Sequence, residues 1–557
     1  MPAIITDQFR ILNAETFVGS FSGAGTTSYY YSFLGHPNPT NTSIEYGTSN
    51  WQTSPPDPRD SFEQENSYHN SMLFMKRVTS DDVRMIVPRY NWQSGSIYDR
   101  YRHNIDHTNP STSFDAKTLY ESKYVVVNSE YKVYLCINNG ENPENVNGQK
   151  STTEPNFATI TPQKATVNAT DGYVWKYLFT IPPADVIKFA TEKYIPLPKD
   201  WGTGSTADVY NASVDGKLEA DAITIKSRGS NYTFSSGTQV TLPIYGDGVG
   251  GRVSITISQD GANANKVDTA TIIDGGSGYT KAFVIFQGVG ESNIGERYGT
   301  ALNLDSNDNR ITIDSGSGAE FEISCPPKGG HGYDINKECG SHRVMVYSKY
   351  DSDPDYITGN NFSRIGVVKN PTVFKSSTEI LNTSTATATY AMKLQVPASG
   401  EDELNYPINA QITQVVGSDP VSMASSIAVG YVASWNPSTH ILKYYQPVGL
   451  STLNAYGYKI LPFNSNTSDN NVDDDIIVSG IGAVSGKLDT TFGTTASPVD
   501  SITLSTGKYV QLGQSFKNGI AAPDVERYSG DIIYIDNRQS ITRSAAQKEE
   551  LKIVVEF

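Results

Sequence analysis

Few side chains in this 557-residue chain stand at spacings that a reaction would use. His103 and His107 are four apart, which on a helix would offer two imidazoles to one metal. Their neighbours Asn104, Asp106 and Asn109-Pro110 predict an irregular loop instead, and surface histidines. Cys325, His331 and Cys339 supply three zinc-type ligands, but a closed structural site needs four and a tight C-x-x-C knuckle, so the cysteines read as reduced, partly buried thiols. Asp351, Asp353 and Asp355 alternate as in a calcium loop, yet Tyr356 and Phe362 occupy the positions of its turn glycine and bidentate carboxylate. Asp473-Asp474-Asp475 likewise reads as a solvated acidic turn. The G-x-G-x-x-G string Gly246-Asp247-Gly248-Val249-Gly250-Gly251 runs into the strand-like Arg252-Val253-Ser254-Ile255-Thr256-Ile257 rather than a helix that would hold a pyrophosphate, so it is a turn. Gly486-Lys487 has Ile481 where the first glycine of a phosphate loop belongs. There is no G-x-S-x-G elbow, and none of the 59 acidic residues is singled out as a glycosidase pair. No catalytic residue, cofactor or metal ligand is assigned, and the expectation is a protein that is not an enzyme.

Composition points the same way. With 47 Gly and 28 Pro the chain is rich in turns, and its 34 Tyr give it a hydroxyl-bearing character. A net charge of −16 repels polyphosphate, which argues against nucleic acid as a partner. No apolar run is long enough to span a bilayer, and the opening Met1-Pro2-Ala3-Ile4-Ile5-Thr6-Asp7 lacks the basic and apolar regions of a cleavable signal, so membrane insertion is not expected. Three scattered cysteines predict stability from packing and strand pairing, in a protein made in a reducing cytosol.

The elements that position these residues are mainly β with minor α: several antiparallel sheets or sandwiches, short helices and inserted β modules. Strands are expected at Tyr124–Val127, Tyr131–Ile137, Arg343–Tyr347, Arg364–Val368, Ile427–Val432, His440–Tyr445, Asp531–Ile535 and Leu551–Phe557, the last implying a tail tied into a sheet. Up to Trp201 the pattern is strands and turns with two short helices, one from Ser80 to before Pro88 and one after Pro182-Pro183. Ile225–Thr233 and Thr271–Thr280 share a strand, Gly-Ser, any residue, Tyr-Thr design, read as two copies of one hairpin with a fainter echo at Ile311–Gly318. Composition shifts divide the chain into an N-terminal β-rich domain (1–201), an inserted β module (202–324), a continuation of the core (325–399), a second inserted module (400–519) and C-terminal strands returning to the core (520–557).

One string is unusual: Asp171-Gly172-Tyr173-Val174-Trp175-Lys176-Tyr177-Leu178-Phe179-Thr180-Ile181-Pro182-Pro183. In a strand, Tyr173, Trp175, Tyr177 and Phe179 share one face, while Val174, Leu178 and the stem of Lys176 share the other. Such a strand is either a central core strand or one whose aromatic face partly serves a subunit interface. The string closely resembles a signature of the eighth-gene-product family of baseplate wedge proteins in T-even-type contractile-tailed phages. So do Arg527–Arg538, Ile86–Trp92 and Ile365–Pro371, and together the similar segments cover about residues 5–200, 340–372 and 522–557. The family often has Phe-Arg before the last of these strands, whereas Ser363 here separates Phe362 from Arg364.

The resemblance implies a structural subunit of the virion's tail baseplate, made in the bacterial host cytoplasm. It would pair with itself, as a homodimer within a wedge, join other wedge subunits, and take part in virion assembly and in triggering sheath contraction. Arg89, Trp92 and Arg538, with the four aromatic residues of the motif, are the candidate interface or core residues, the two arginines anchored either by carboxylates across an interface or by surface ion pairs. From another class, the β-rich, Tyr/Asn/Ser-heavy composition fits a tail-spike protein that binds or hydrolyses glycans. Exposed Tyr232 and Tyr279 would then stack on sugars, the alternative being rings that cap their own turns.

Overall fold

The computed structural model describes residues 5–21, 28–36, 54–212, 216–234, 237–286, 313–350, 361–398, 404–408, 410–418, 425–446, 461–466, 472–478, 485–542 and 547–557. Strands make up 42% and helices 12%, so the fold is mainly β with several antiparallel sheets, as expected. The chain forms two compact units, one from Met1–Val18, Arg84–Met345 and Val554–Phe557, the other from Gly19–Val83 and Val346–Ile553.

In the first unit, Val125–Val127, Lys132–Asn139 and Tyr173–Thr180 form a three-stranded antiparallel sheet, with Cys136 opposite Trp175. Its first hairpin closes because the Asn128 carboxamide oxygen accepts from the Glu130 and Lys132 N–H groups, both at 2.9 Å, while Tyr131 takes φ 59°. The helix expected after Pro182 is Pro183–Phe189. The helix expected from Ser80 is instead a single 3-10 turn, Ser80–Asp82, followed by the strand Val83–Pro88. Asp82 accepts from Thr79 and ends the turn, and the β-branched run beyond it is buried on both faces. A helix that was not expected, Asp7–Gly19, buries Ile11 and Ala14. The terminal strand is Glu549–Glu556, in one sheet with Arg343–Tyr350.

The repeat resolves differently from two hairpins. Gly229–Thr233 lies inside the continuous strand Ile223–Phe234, antiparallel to Ile313–Ile323, whose Ser315–Gly318 is the fainter echo. Gly276–Thr280 follows the strand Val267–Asp274 and faces the Gly246–Gly251 turn through a Val249–Ser277 bridge. What repeats is a tyrosine laid over glycine backbone. A Cβ on Gly316 would run into the Tyr232 ring, and one on Gly248 into the Tyr279 ring. Each phenol accepts one N–H and donates to one carbonyl. Tyr232 accepts from Ala319 at 3.0 Å and donates to Phe286, and Tyr279 accepts from Gly251 at 3.0 Å and donates to Ile244 at 2.9 Å. Both rings are buried, so neither is exposed to stack on a sugar. The G-x-G-x-x-G turn thus serves a ring, not a phosphate.

Two antiparallel sheets lie in the second unit among the described residues. One orders Thr385–Thr387, Met72–Val78, Tyr30–Gly35, Asn361–Lys369 and Asp531–Thr542. The other has nine strands, centred on Ser425–Asn436, Ile441–Tyr445 and Tyr390–Lys393, over a core that includes Met392, Ile412, Leu442 and Tyr444. A second unexpected helix, Phe62–Ser71, is capped by Ser61, whose hydroxyl accepts from the Gln64 N–H at 3.3 Å. Among the described residues no helix is long and apolar enough to cross a membrane.

Candidate functional site

The motif strand is set by the turn before it. The Asp171 carboxylate accepts from the Thr152 N–H at 2.8 Å and the Tyr173 N–H at 3.3 Å. Gly172 has φ 75°, and a Cβ there would lie 2.7 Å from Gly140 Cα, so two backbones touch where no side chain fits.

Beyond the turn, Tyr173 and Trp175 stack with centroids 5.1 Å apart and planes 14° from parallel. Tyr98 meets both edge-on, at 6.3 and 5.9 Å. The Tyr173 hydroxyl donates to Gln149 O at 2.8 Å and accepts from the Tyr98 N–H at 2.9 Å. Tyr134, on the neighbouring strand, meets Tyr177 and Phe157 edge-on. Tyr173 and Trp175 are fully buried within the chain's own fold, and Tyr177 is half-buried against the same cluster.

The other named residues stand apart or at the margin. Trp92 packs at the edge of the cluster and donates its indole N–H to Ser151 Oγ at 3.0 Å. Phe179 is buried but turns to Trp201 at 6.2 Å. Arg89 donates to the Asn91 carboxamide at 2.8 Å and to Thr191 O at 3.0 Å. Arg538, in the second unit, is 61% exposed and pairs with Asp536 of its own strand at 2.6 Å.

Two charged arrangements escaped the sequence reading. Lys176, taken as an apolar stem, is buried with its ammonium on Glu219 at 2.8 Å. Arg100 and Arg102 lie two apart and reach the same carboxylate. Arg100 binds Glu141 at 2.9 Å and Glu322 at 2.5 Å, Arg102 binds Glu322 at 3.0 Å, and Lys226 joins both glutamates. Burial pushes the Glu322 carboxyl up, but the three cations outweigh it and hold it down at about 2. Arg100-Tyr101-Arg102 lies outside any strand, so its alternation in sequence does not by itself predict that the two guanidinium groups converge.

The metal-like groupings do not converge on one ligand set. His331 binds Glu338 through Nδ1, and the Glu338 carboxylate also accepts the Gly332 N–H at 2.6 Å. Cys136, Cys325 and Cys339 are free and buried, the latter two more deeply than expected. His103 and His107 lie in an irregular segment. Among the described residues, the acidic and thiol ligands that come together are Asp473, Asp474 and Asp475, with Lys487 paired to Asp474 at 3.0 Å. Asp351, Asp353 and Asp355 lie outside the described residues.

The motif strand falls in the segment that decides the likeness. Residues 148–234 match the family described as Bacteriophage T4, Gp8. This match supports the resemblance to the T4 baseplate wedge protein, and with it a structural role in a phage tail baseplate. It spans the whole aromatic strand and continues through Ile223–Phe234, the first strand of the segment read as an insertion. No curated protein matches the chain.

Proposed function

We propose that this chain is a wedge subunit of a contractile-tail baseplate that associates with itself, binds other wedge proteins, and passes on the rearrangement that releases sheath contraction. The observation that carries the reading is the family match over 148–234, which contains the whole aromatic string. The geometry supports it in two ways. Tyr173, Trp175 and Phe179 serve as a stiff internal strand, because their rings are buried by the same chain, with Tyr177 half-buried beside them. The surface offered to neighbours is then sought elsewhere, and Asp531–Thr542 suits it: a 12-residue strand at the end of its sheet, paired among the described residues with Asn361–Lys369 alone, and exposing Ile533, Arg538 and Ile541. Such an edge invites pairing with another chain. Arg89 and Trp92 act from within, tying the segment before the sheet to its strands. Segments 202–324 and 400–519 are the modules by which this chain is larger than the wedge core.

The test is reconstitution. Purified chain mixed with its neighbouring wedge proteins forms a stable complex containing two copies of it, read by light scattering on a sizing column. Recovery of free monomer alone under those conditions overturns the reading.

A further inference from the structure

An Asn-Gly step carries its own chemistry. No side chain shields the glycine nitrogen, so it can attack the preceding carboxamide, which is one reason asparagine is a thermolabile residue. The chain has three such steps, Asn139-Gly140, Asn147-Gly148 and Asn518-Gly519, and all three fall among the described residues. The fold treats them unequally.

Asn139 is locked through its side chain. It is 1% exposed, its Nδ2 donates to Tyr98 O at 3.0 Å and its Oδ1 accepts from the Glu141 N–H at 3.2 Å, so its Cγ reaches the Gly140 nitrogen only after both bonds break. Asn518-Gly519 is held through the main chain instead. The Asn518 N–H donates to Gly493 O at 3.0 Å, the Gly519 N–H donates to Phe492 O at 2.8 Å, and Gly519 O accepts from the Lys393 N–H at 2.8 Å. Gly519 is buried, and a Cβ there would run into Asp489 O. Asn147 has neither protection. It ends the exposed run 144–147, and its carboxamide makes no hydrogen bond among the described residues, the Ser113 hydroxyl donating to its main-chain O at 2.9 Å. The Gly148 N–H donates to Asn145 O at 3.0 Å, a bond inside that exposed turn, which opens without disturbing a strand.

We propose that Asn147 is a site of spontaneous covalent change in the folded protein, becoming aspartate or isoaspartate with solvent water as co-reactant. The Gly148 nitrogen attacks Asn147 Cγ, the new C–N bond replaces the one to the amide nitrogen, and ammonia leaves with the glycine's proton. Water then opens the cyclic imide at either carbonyl. The change reaches the fold because Gly148 lies against Asn139, where a Cβ would meet its carboxamide, and the Gln149 N–H donates to Asn139 O at 2.9 Å. Opening at the α-carbonyl leaves an extra methylene in the main chain just before these contacts. The site does not depend on the assembly reading.

Peptide mass mapping with enzymatic detection of isoaspartate tests it, on the full chain folded and unfolded in guanidinium at the same mildly alkaline pH. Relative to the unfolded chain, folding slows conversion at Asn139 and Asn518 by at least about tenfold, since each waits for packed strands to open, and slows it less at Asn147. The aged folded chain also melts below the fresh one, while Asn147→Gln keeps its thermal midpoint through the same incubation. An Asn147 that stays intact in the folded chain overturns the proposal, as does protection there equal to that of Asn139 or Asn518. A midpoint that falls as far in Asn147→Gln as in the parent overturns the stated reach into the fold.

Discussion

The strand Tyr173–Thr180 in the first unit, which lies in the segment matched to the family, and the strand Asp531–Thr542 in the second, which runs through Ile532, Ile533, Tyr534 and Ile535, both carry large apolar side chains. The chain treats them in opposite ways. In the first, Tyr98, Tyr134, Trp92 and Phe157 arrive from distant sequence and close over the rings. In the second, the residue most deeply buried is polar: Asn537 accepts from Arg364 Nε and donates to Pro56 O, both at 2.9 Å, while Ile533 and Ile541 remain exposed. Period-two alternation tells which residues share a face. Whether that face is covered by its own chain depends on partners that local sequence does not name.

The largest effect that separates the two strands is expected at Trp175. Truncating Trp175→Ala removes a fully buried ring stacked on Tyr173 and should cost about 3–5 kcal/mol, read as a lower urea midpoint. An equally large loss from Ile533→Ala would erase the distinction between core and surface strand.

Next comes the charge network joining Arg100, Arg102 and Lys226 to Glu141 and Glu322. The Glu322 carboxyl sits at about 2 in the folded protein, below its ordinary 4.5, so the folded state favours the ionised form. Its stabilisation is complete above pH 4.5 and is lost as pH falls from there toward 2, a difference on the order of 3 kcal/mol. Urea midpoints measured between pH 6 and 3 should fall with acid, and Glu322→Gln should be less stable at pH 6 yet show a flatter acid limb. An unchanged acid limb in that variant would remove Glu322 as its cause.

At the turn into the aromatic strand, Gly172→Ala places a methyl against Gly140 at a φ of 75°. Strain of about 1–3 kcal/mol is expected, seen as a lower thermal midpoint. Gly95, also at positive φ but with nothing within 4 Å of its missing Cβ, should tolerate alanine better.

Much of the fold was legible because its strands are locally written. Val125–Val127, Lys132–Asn139, Asn361–Lys369 and Ile441–Tyr445 announce themselves through β-branched and aromatic residues, and Pro183–Phe189 through its prolines. The helices Asp7–Gly19 and Phe62–Ser71 were passed over although their caps were visible: Thr6 and Ser61 each precede the first turn, and Ser61 with Gln64 has the spacing of a capping box. Asn, Ser and His inside Phe62–Ser71 blur its apolar stripe, which is why the cap was the better guide. The Tyr232 and Tyr279 rings do cover glycines of their own repeat, Gly229 and Gly276, as the turn-capping reading has it, but they also cover Gly316 and Gly248 from other segments, which no local pattern names. The buried cations were illegible for a similar reason: Lys176 finds Glu219, and Arg100 finds Glu322, only after folding.

The smallest change in stability should have the clearest consequence for assembly. Ile533 is 42% exposed on a strand with one neighbour among the described residues, so Ile533→Lys leaves most of its contacts intact and should shift folding stability by no more than about 0.5 kcal/mol. A charge at a sheet edge is nonetheless the usual device against strand-to-strand pairing. If this edge carries self-association, the variant is a folded monomer at concentrations where the parent is a dimer, while Tyr177→Phe, altered inside the other strand, dimerises normally. Both outcomes can be read by sedimentation on the same day's preparations, with circular dichroism to establish the fold. Dimers that persist in Ile533→Lys and also in Ile541→Lys would move the interface away from this edge and leave the aromatic strand's partial exposure at Tyr177 as the next surface to test.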